Sequence, residues 1–309
     1  LVPTPGHTPE HCSLALDSSN TPYVAYPSGY GYGCGDQASV PFTVMHYTGN
    51  GSTGWEAVGQ PAGLAENERV YAASLVLNSA DTPCVVYQGY IQDDPYSAGT
   101  GYLKMQCYQN GSWELVGSAI YSGQGYGGYG LERGADIPVA FDWNDVPYVA
   151  YSDYDNDYKA TVKRYNGSAW ERVGQAGFSA ESVHYGLDLT LDGNNTPYVV
   201  YRDYANDGKA TVKRYNGSAW ETVGQAGFSA GQLYHGVSIA VGGDNAPYVS
   251  YVEYIRDTEG YGYSTKGTVM RYTGSAWEAL GQAGFWDKEG WVSGARYALH
   301  HNDVTYVTY

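Results

Sequence analysis

At 309 residues the chain is too long for one small domain, yet a repeat runs through it end to end, which fits one repeated fold better than two unrelated domains. Sixteen Lys+Arg against 32 Asp+Glu give a formal charge of −16, which argues against a binder of nucleic acid or of anionic lipid. Charged residues make up only 16%, below the usual proportion of about a quarter, with Gly (42) and Tyr (34) in their place, and no apolar run approaches the roughly 20 residues of a membrane span.

The first repeat unit covers 12–59. It holds Pro22-Tyr23-Val24-Ala25-Tyr26, a Val/Tyr run with strand propensity, and ends in Trp55-Glu56-Ala57-Val58-Gly59. The second, 71–117, repeats both signatures as Pro83-Cys84-Val85-Val86-Tyr87 and Trp113-Glu114-Leu115-Val116-Gly117. The third, 136–174, carries Pro147-Tyr148-Val149-Ala150-Tyr151, then Ala160–Tyr165, then a stretch from Tyr165 to Phe178. That stretch returns fifty residues later as Tyr215 to Phe228 in the fourth unit, 186–224, changed only where Arg172 becomes Thr222. The fifth unit, 236–281, keeps Pro247-Tyr248-Val249-Ser250-Tyr251 and Tyr272-Thr273-Gly274-Ser275-Ala276-Trp277; a partial sixth, 294–309, ends in Thr305-Tyr306-Val307-Thr308-Tyr309.

Each unit reads as four strands. Strand A alternates large apolar with small or polar residues (Leu187–Leu191, Val237–Val241), B is the Pro-Tyr run, C the Lys163 segment and D the Trp segment. Short turns join A to B and C to D, the latter through Asn166-Gly167 and Asn216-Gly217, a pair that tolerates the positive φ of a tight hairpin. Four antiparallel strands repeated end to end predict an all-β chain, a single β-propeller over 1–309. Strands A and B occur six times but C and D five, and Leu1-Val2 aligns with the tail of a strand D. The expectation is therefore six blades with an incomplete last one, finished by something outside the chain as given, with a five-bladed ring as the alternative. The N-terminal Leu1 suggests a processed or truncated start.

Four cysteines predict two disulfides, Cys12–Cys34 and Cys84–Cys107, against free buried thiols. Five Asn-x-Ser/Thr sequons, Asn50, Asn110, Asn166, Asn194 and Asn216, are candidate glycosylation sites on a secreted chain, although Asn-Gly is also what a tight hairpin requires. All five fall in A–B or C–D turns and so share one end of the blades.

The opposite end carries the variable loops. Tyrosines and tryptophans sit there among glycines, in 28–34, 88–96, 121–129, 259–263 and 286–291, and suit sugar stacking or a protein interface. Tyr71, Tyr126, Arg133, His184, Tyr185, Tyr234, His235, Trp286 and Trp291 are the candidate ligand or interface residues. Asp153, Asp155 and Asp157 resemble the start of an oxygen-ligand Ca2+ loop, with a solvated turn as the preferred reading. Motifs of serine hydrolases, zinc peptidases and phosphate loops are missing. Glu132, Glu253 and Asp257 are the candidates for a paired-carboxylate glycosidase site.

The alternation of Trp-x-x-(Val/Leu)-Gly with Pro-Tyr-Val-x-Tyr resembles the propeller repeats of secreted and cell-surface proteins. It is similar in layout to propeller lectins of the tachylectin type, a resemblance that implies the scaffold and a sugar-binding activity. These readings predict a non-enzymatic extracellular glycoprotein that assembles with copies of itself into a layer or fibre. The alternative is a carbohydrate-binding lectin, and the third reading is a glycan-active enzyme.

Overall fold

The computed structural model describes residues 12–27, 42–49, 54–59, 68–91, 99–124, 137–184, 186–256, 263–281, 286–289, 296–299 and 305–308. The chain is all-β, with five four-stranded antiparallel sheets that are the blades of a five-bladed β-propeller. The first blade is β1 (Ser13–Leu16), β2 (Pro22–Pro27), β3 (Phe42–Tyr47) and β4 (Trp55–Ala57). The second is β5 (Glu68–Leu77), β6 (Pro83–Ile91), β7 (Thr100–Gln109) and β8 (Ser112–Leu115), with β9 (Tyr121–Gln124) added beside β7. The third is β10 (Val139–Phe141), β11 (Pro147–Asp153), β12 (Lys159–Tyr165) and β13 (Trp170–Arg172). The fourth is β14 (Leu187–Leu191), β15 (Pro197–Asp203), β16 (Lys209–Tyr215) and β17 (Trp220–Thr222). The fifth is β18 (Leu233–Val241), β19 (Pro247–Arg256), β20 (Tyr263–Tyr272) and β21 (Trp277–Ala279), with β22 (Trp286–Glu289) beside β20. The expected six-bladed count gives way to the five-bladed alternative. Among the described residues the last copies of A and B, β23 (Arg296–Leu299) and β24 (Thr305–Thr308), pair only with each other.

Two compact units divide the chain, 1–148 with 163–171, and 149–162 with 172–309. In the first, Ala25, Phe42, Val44, Val70, Leu75, Val85 and Tyr87 form one core between the first two blades. In the second, Val200, Val212, Leu233, Ile239, Val249 and Tyr251 do the same for the fourth and fifth. The alternation read from the sequence thus places its apolar face between neighbouring blades.

The Trp-x-x-(Val/Leu)-Gly motif is the clasp that joins them. Trp113 Nε1 donates to the Val58 carbonyl (2.9 Å), Trp170 to Val116 (2.9 Å), Trp220 to Val173 (2.8 Å) and Trp277 to Val223 (2.9 Å). Each of these tryptophans reaches back into the preceding blade. The glycine after the valine holds φ near +70°, and a Cβ there would sit 2.4–2.8 Å from a ring carbon of the next blade's tyrosine: Gly59 against Tyr108, Gly117 against Tyr165, Gly174 against Tyr215, Gly224 against Tyr272. Glycine is required at these positions twice over, by backbone conformation and by contact. Phe178 and Phe228 complete the clasp, stacked 4.2 Å from Trp220 and Trp277.

The A–B turns carry a second link. Asp17, Asn78, Asp142 and Asp192 each accept two backbone N–H groups of their own turn, the Asx pattern. The residue before strand B's Thr/Val/Ala-Pro is left-handed at Asn20, Asp81, Asp145, Asn195 and Asn245. Its side chain takes the preceding blade's turn: Ser18 N–H to Asp81, Ser79 N–H to Asp145, Gly193 N–H to Asn245.

Cys84 and Cys107 stand directly opposite each other on β6 and β7 and are disulfide-bonded, as expected. Cys12 is an exposed free thiol, and its expected partner Cys34 lies outside the described residues. Among the described residues no helix is long and apolar enough to cross a membrane.

Candidate functional site

In an antiparallel A-B-C-D sheet the B–C and D–A connections share one end. In the third blade that end is built on Asp153, the last residue of β11. Its carboxylate is buried (4% exposed), with Oδ2 accepting Thr161 Oγ1–H (2.8 Å) and Asn156 Nδ2–H (2.9 Å). Thr161 Oγ1 in turn accepts the Gly177 N–H (2.9 Å), which draws the D–A segment onto the same knot. The fourth blade repeats it with Asp203, Thr211, Asn206 and Gly227. A 3-10 turn, Tyr154–Asn156, follows Asp153, and Asp157 is left-handed. Of the residues read as the start of a Ca2+ loop or a solvated turn, Asp153 is turned inward with Oδ2 bonded to protein donors, Asp155 and Asp157 are exposed, and no three His, Cys, Asp or Glu converge on a metal position among the described residues.

The same turn presents an aromatic cluster. Tyr154 is 40% exposed and meets Tyr158 edge to face (5.3 Å, 89°), and Tyr158 packs against His184 (5.0 Å). Burial pushes the Tyr158 hydroxyl pKa up, and the neighbouring Tyr154 adds to the shift. Tyr158 holds φ +58°, a conformation that costs a residue with a Cβ about 1–2 kcal/mol. Three hydrogen bonds fix it there: its N–H donates to Asp153 O (2.8 Å), and its carbonyl accepts from Val183 N–H (2.9 Å) and Ser152 Oγ–H (3.0 Å). The fourth blade makes the same backbone bonds at Gly208, with φ +69°. A tyrosine is thus kept where the neighbouring copy has the glycine that the backbone prefers.

Between Tyr151–Gly186 and Tyr201–Gly236 nine positions differ. Eight of them, at 152, 155, 158 and 181–185 of the earlier copy, lie at this loop end; the other, Arg172, is on strand D. In the later copy the exchanges give a different surface, with the Arg202 guanidinium 4.8 Å above the Tyr204 ring in the fourth blade and Tyr234 of β18 packed on Tyr254 of β19 (4.3 Å). Such local divergence in an otherwise copied unit is the sequence signal that marks Tyr158 and His184, whereas Tyr154, shared with Tyr204, carries none.

His184 is in this cluster, whereas Tyr185 lies outside the described residues. Tyr234 is buried at 5% exposure, a packing position rather than an open one. Tyr71 falls in the β-bulge between Val70 and Ala72 of β5, and His235 at the register break between Leu233 and Val237 of β18. Trp286 opens β22, so part of the expected D–A loop is strand, as is Tyr121–Gln124 after blade two. Gln88–Ile91 likewise continues β6, with Tyr90 buried. Tyr126, Arg133 and Trp291 lie outside the described residues, as do Glu132 and Asp257. Glu253 is buried, with Oε2 accepting Gly231 N–H (2.6 Å). Of the sequons, Asn110, Asn166, Asn194 and Asn216 are exposed in turns at the opposite end of their blades, and Asn50 lies outside the described residues.

No family model matches the chain, and no curated protein does. Solved structures share its fold. A protein of unknown function from Dyadobacter fermentans aligns at TM-score 0.53 and 12% identity, over 96% of this chain and 92% of that one. The Penicillium chrysogenum alpha-L-arabinanase complexed with arabinobiose aligns at 0.53 and 11%, over 87% and 80%. A Hadza microbial sialidase aligns at 0.52 and 10%, over 89% of this chain but 59% of its own. At these identities the likeness is one of fold, and it places the chain among β-propellers.

Proposed function

We propose that this chain is an extracellular carbohydrate-binding module whose binding surface is the loop end of the third blade. The observation that carries the reading is Tyr158. A left-handed tyrosine beside Tyr154 and His184 is strain held in place by three backbone-directed bonds, and strain of this kind collects at binding sites. Tyrosine rings offer an apolar face to the C–H face of a pyranose and a hydroxyl to its rim. The likeness in fold to an arabinanase complexed with arabinobiose and to a sialidase is in keeping with this reading. The four exposed sequons, as glycosylation sites of a secreted chain, would put glycans at the far end of the blades and leave this surface clear.

The test is a glycan array followed by calorimetry with Tyr158→Gly, Tyr154→Ala and His184→Ala. The expected result is a saccharide bound by wild type and weakened about tenfold or more by each change, since each 1.4 kcal/mol is a factor of ten. Binding that is indifferent to all three, or no binding across the array, would overturn the proposal.

A further inference from the structure

We infer that the loop end of the fourth blade binds the carboxylate of an acidic saccharide, through Arg202 and Gln232 set beside the Tyr204 ring. This surface is separate from the Tyr158 cluster of the third blade, and the inference stands without that one. It starts from the direction of the exchanges between the two copies. Of the eight at this end, three alter formal charge: Ser152 gives way to Arg202, Asp155 to Ala205 and Glu181 to Gly231. Each moves the later copy toward positive charge, in a chain whose net charge is −16.

The new guanidinium is not spent inside the protein. Arg164, Arg214 and Arg271 each form an ion pair with a carboxylate. Arg202 has no such partner among the described residues, and its Nε is buried without an acceptor. Packing holds it instead, 4.8 Å above the Tyr204 ring. The nearby acids do not account for it. Asp203 is buried and bonded to Thr211 and Asn206, and Glu253 is buried and accepts the Gly231 N–H. Asp207 is exposed on the same turn, but the earlier copy has the same residue as Asp157 without the arginine.

Gly208 makes the room. A Cβ there would lie 2.9 Å from Gln232 Nε2 and 3.1 Å from Arg202 Nε, so amide and guanidinium converge on the side to which the earlier copy attaches the Tyr158 ring. Gly208, Arg202 and Gln232 thus differ together from Tyr158, Ser152 and Ser182. The Gln232 residue is exposed, and its amide makes no hydrogen bond among the described residues. A planar guanidinium next to an amide N–H2 matches the two oxygens of a carboxylate, and hydrogen bonds to an ionised acceptor are roughly twice as strong as neutral ones. The Tyr204 ring, 38% exposed, offers the apolar surface for the sugar that carries the carboxylate. The acidic chain as a whole repels polyanions, which favours a saccharide with few carboxylates over a heavily sulfated one.

Calorimetry at low ionic strength tests it, with trigalacturonate and its fully methyl-esterified form, and with sialyllactose and lactose. The proteins are wild type, Arg202→Ser and Gly208→Tyr; both substitutions install the residue that the third blade carries at the same place, so the blade already accommodates them. Wild type is expected to bind trigalacturonate or sialyllactose, which tells a uronate from a sialic acid, and to bind the matching uncharged sugar about tenfold or more weakly. Each substitution is expected to weaken the acidic sugar by about tenfold or more, with strand circular dichroism unchanged. No binding of either acidic sugar overturns the inference, as does equal binding of the charged and uncharged forms, or binding that Arg202→Ser leaves as it was.

Discussion

Glycine and tyrosine set the behaviour of single positions in this chain. Gly174 and Gly281 occupy the same place in the repeat with the same left-handed φ of +73°, but among the described residues only Gly174 of the two faces a ring, with a Cβ falling 2.6 Å from Tyr215. Gly281→Ala is therefore expected to cost about 1 kcal/mol, the conformational penalty alone. Gly174→Ala is expected to cost about 3 kcal/mol, since overpacking adds about 1–3 kcal/mol. Urea unfolding of the two variants side by side measures the difference, and equal midpoints would refute the clasp. Tyr158 is the converse case. Removing its ring relieves backbone strain of about 1–2 kcal/mol and forfeits packing of similar size, so Tyr158→Gly is expected to hold stability within about 1 kcal/mol of wild type. A tyrosine kept for the core behaves otherwise. Tyr201, 1% exposed, is expected to cost about 3–5 kcal/mol when truncated to alanine.

Among elements, the outer edge of each blade departs most from the alternating pattern. In the second and fifth blades strand C is long, and its outer side pairs first with the Trp strand and then with a second short strand, β9 or β22. In the third and fourth blades, Phe178 and Phe228 make a single bond in the equivalent position, to Ala160 O and Ala210 O. The sequence of these segments is rich in Gly and Tyr and has the composition of loop, so a tertiary edge overrides local propensity. The second blade adds a covalent tie, Cys84–Cys107, at a sequence separation of 23 between β6 and β7. The double Cys→Ala variant is expected to lose about 3 kcal/mol by the loop-entropy estimate. The measurement is its denaturation curve against wild type with and without reductant, and an unchanged curve would mean that the strand pairing suffices.

For the whole molecule, a common feature is a tyrosine four residues after each strand-B proline or its equivalent: Tyr26, Tyr87, Tyr151, Tyr201 and Tyr251, all under 5% exposed. Burial raises the hydroxyl pKa of Tyr87, Tyr201 and Tyr251, and the carboxylates of Glu68, Asp203 and Glu253 respectively raise it further. An acid whose pKa is raised by folding keeps its proton longer in the folded than in the unfolded state. The stability it lends is complete below the unfolded tyrosine pKa of about 10 and falls as pH rises above it. Alkaline unfolding is thus expected to be steep above about pH 10, with these phenols ionising together with the loss of structure. Absorbance of tyrosinate followed alongside circular dichroism checks this, and ionisation that precedes unfolding would contradict it. At the acid end Glu171 and Glu221 are held below their usual pKa by hydrogen bonds first from Arg164 and Arg214 and then from Asn166 and Asn216. Their contribution is present above the unfolded glutamate pKa and is lost as pH falls through the folded value.

The four repeated strands of each blade, their order and the face each buries were legible without coordinates, because a period-two pattern copied five times states the same answer five times, and Asn-Gly or Thr-Gly turns mark where the C–D hairpins close; the added strands β9 and β22 were not. The disulfide was legible from the register that the repeat implies for Cys84 and Cys107. The blade count was not, because two extra strands look the same in sequence whether they begin another blade or, as β23 and β24 do, pair only with each other. The site was not legible either. Asp153 reads as a surface ligand until folding turns it inward onto Thr161, and Tyr158 reads as an ordinary loop residue until its backbone is seen to be left-handed. Both depend on how the turn between β11 and β12 closes on itself, with Thr161 and Asn156 bonded to Asp153 and Val183 N–H reaching Tyr158 from the D–A segment, a geometry that residue types alone do not state.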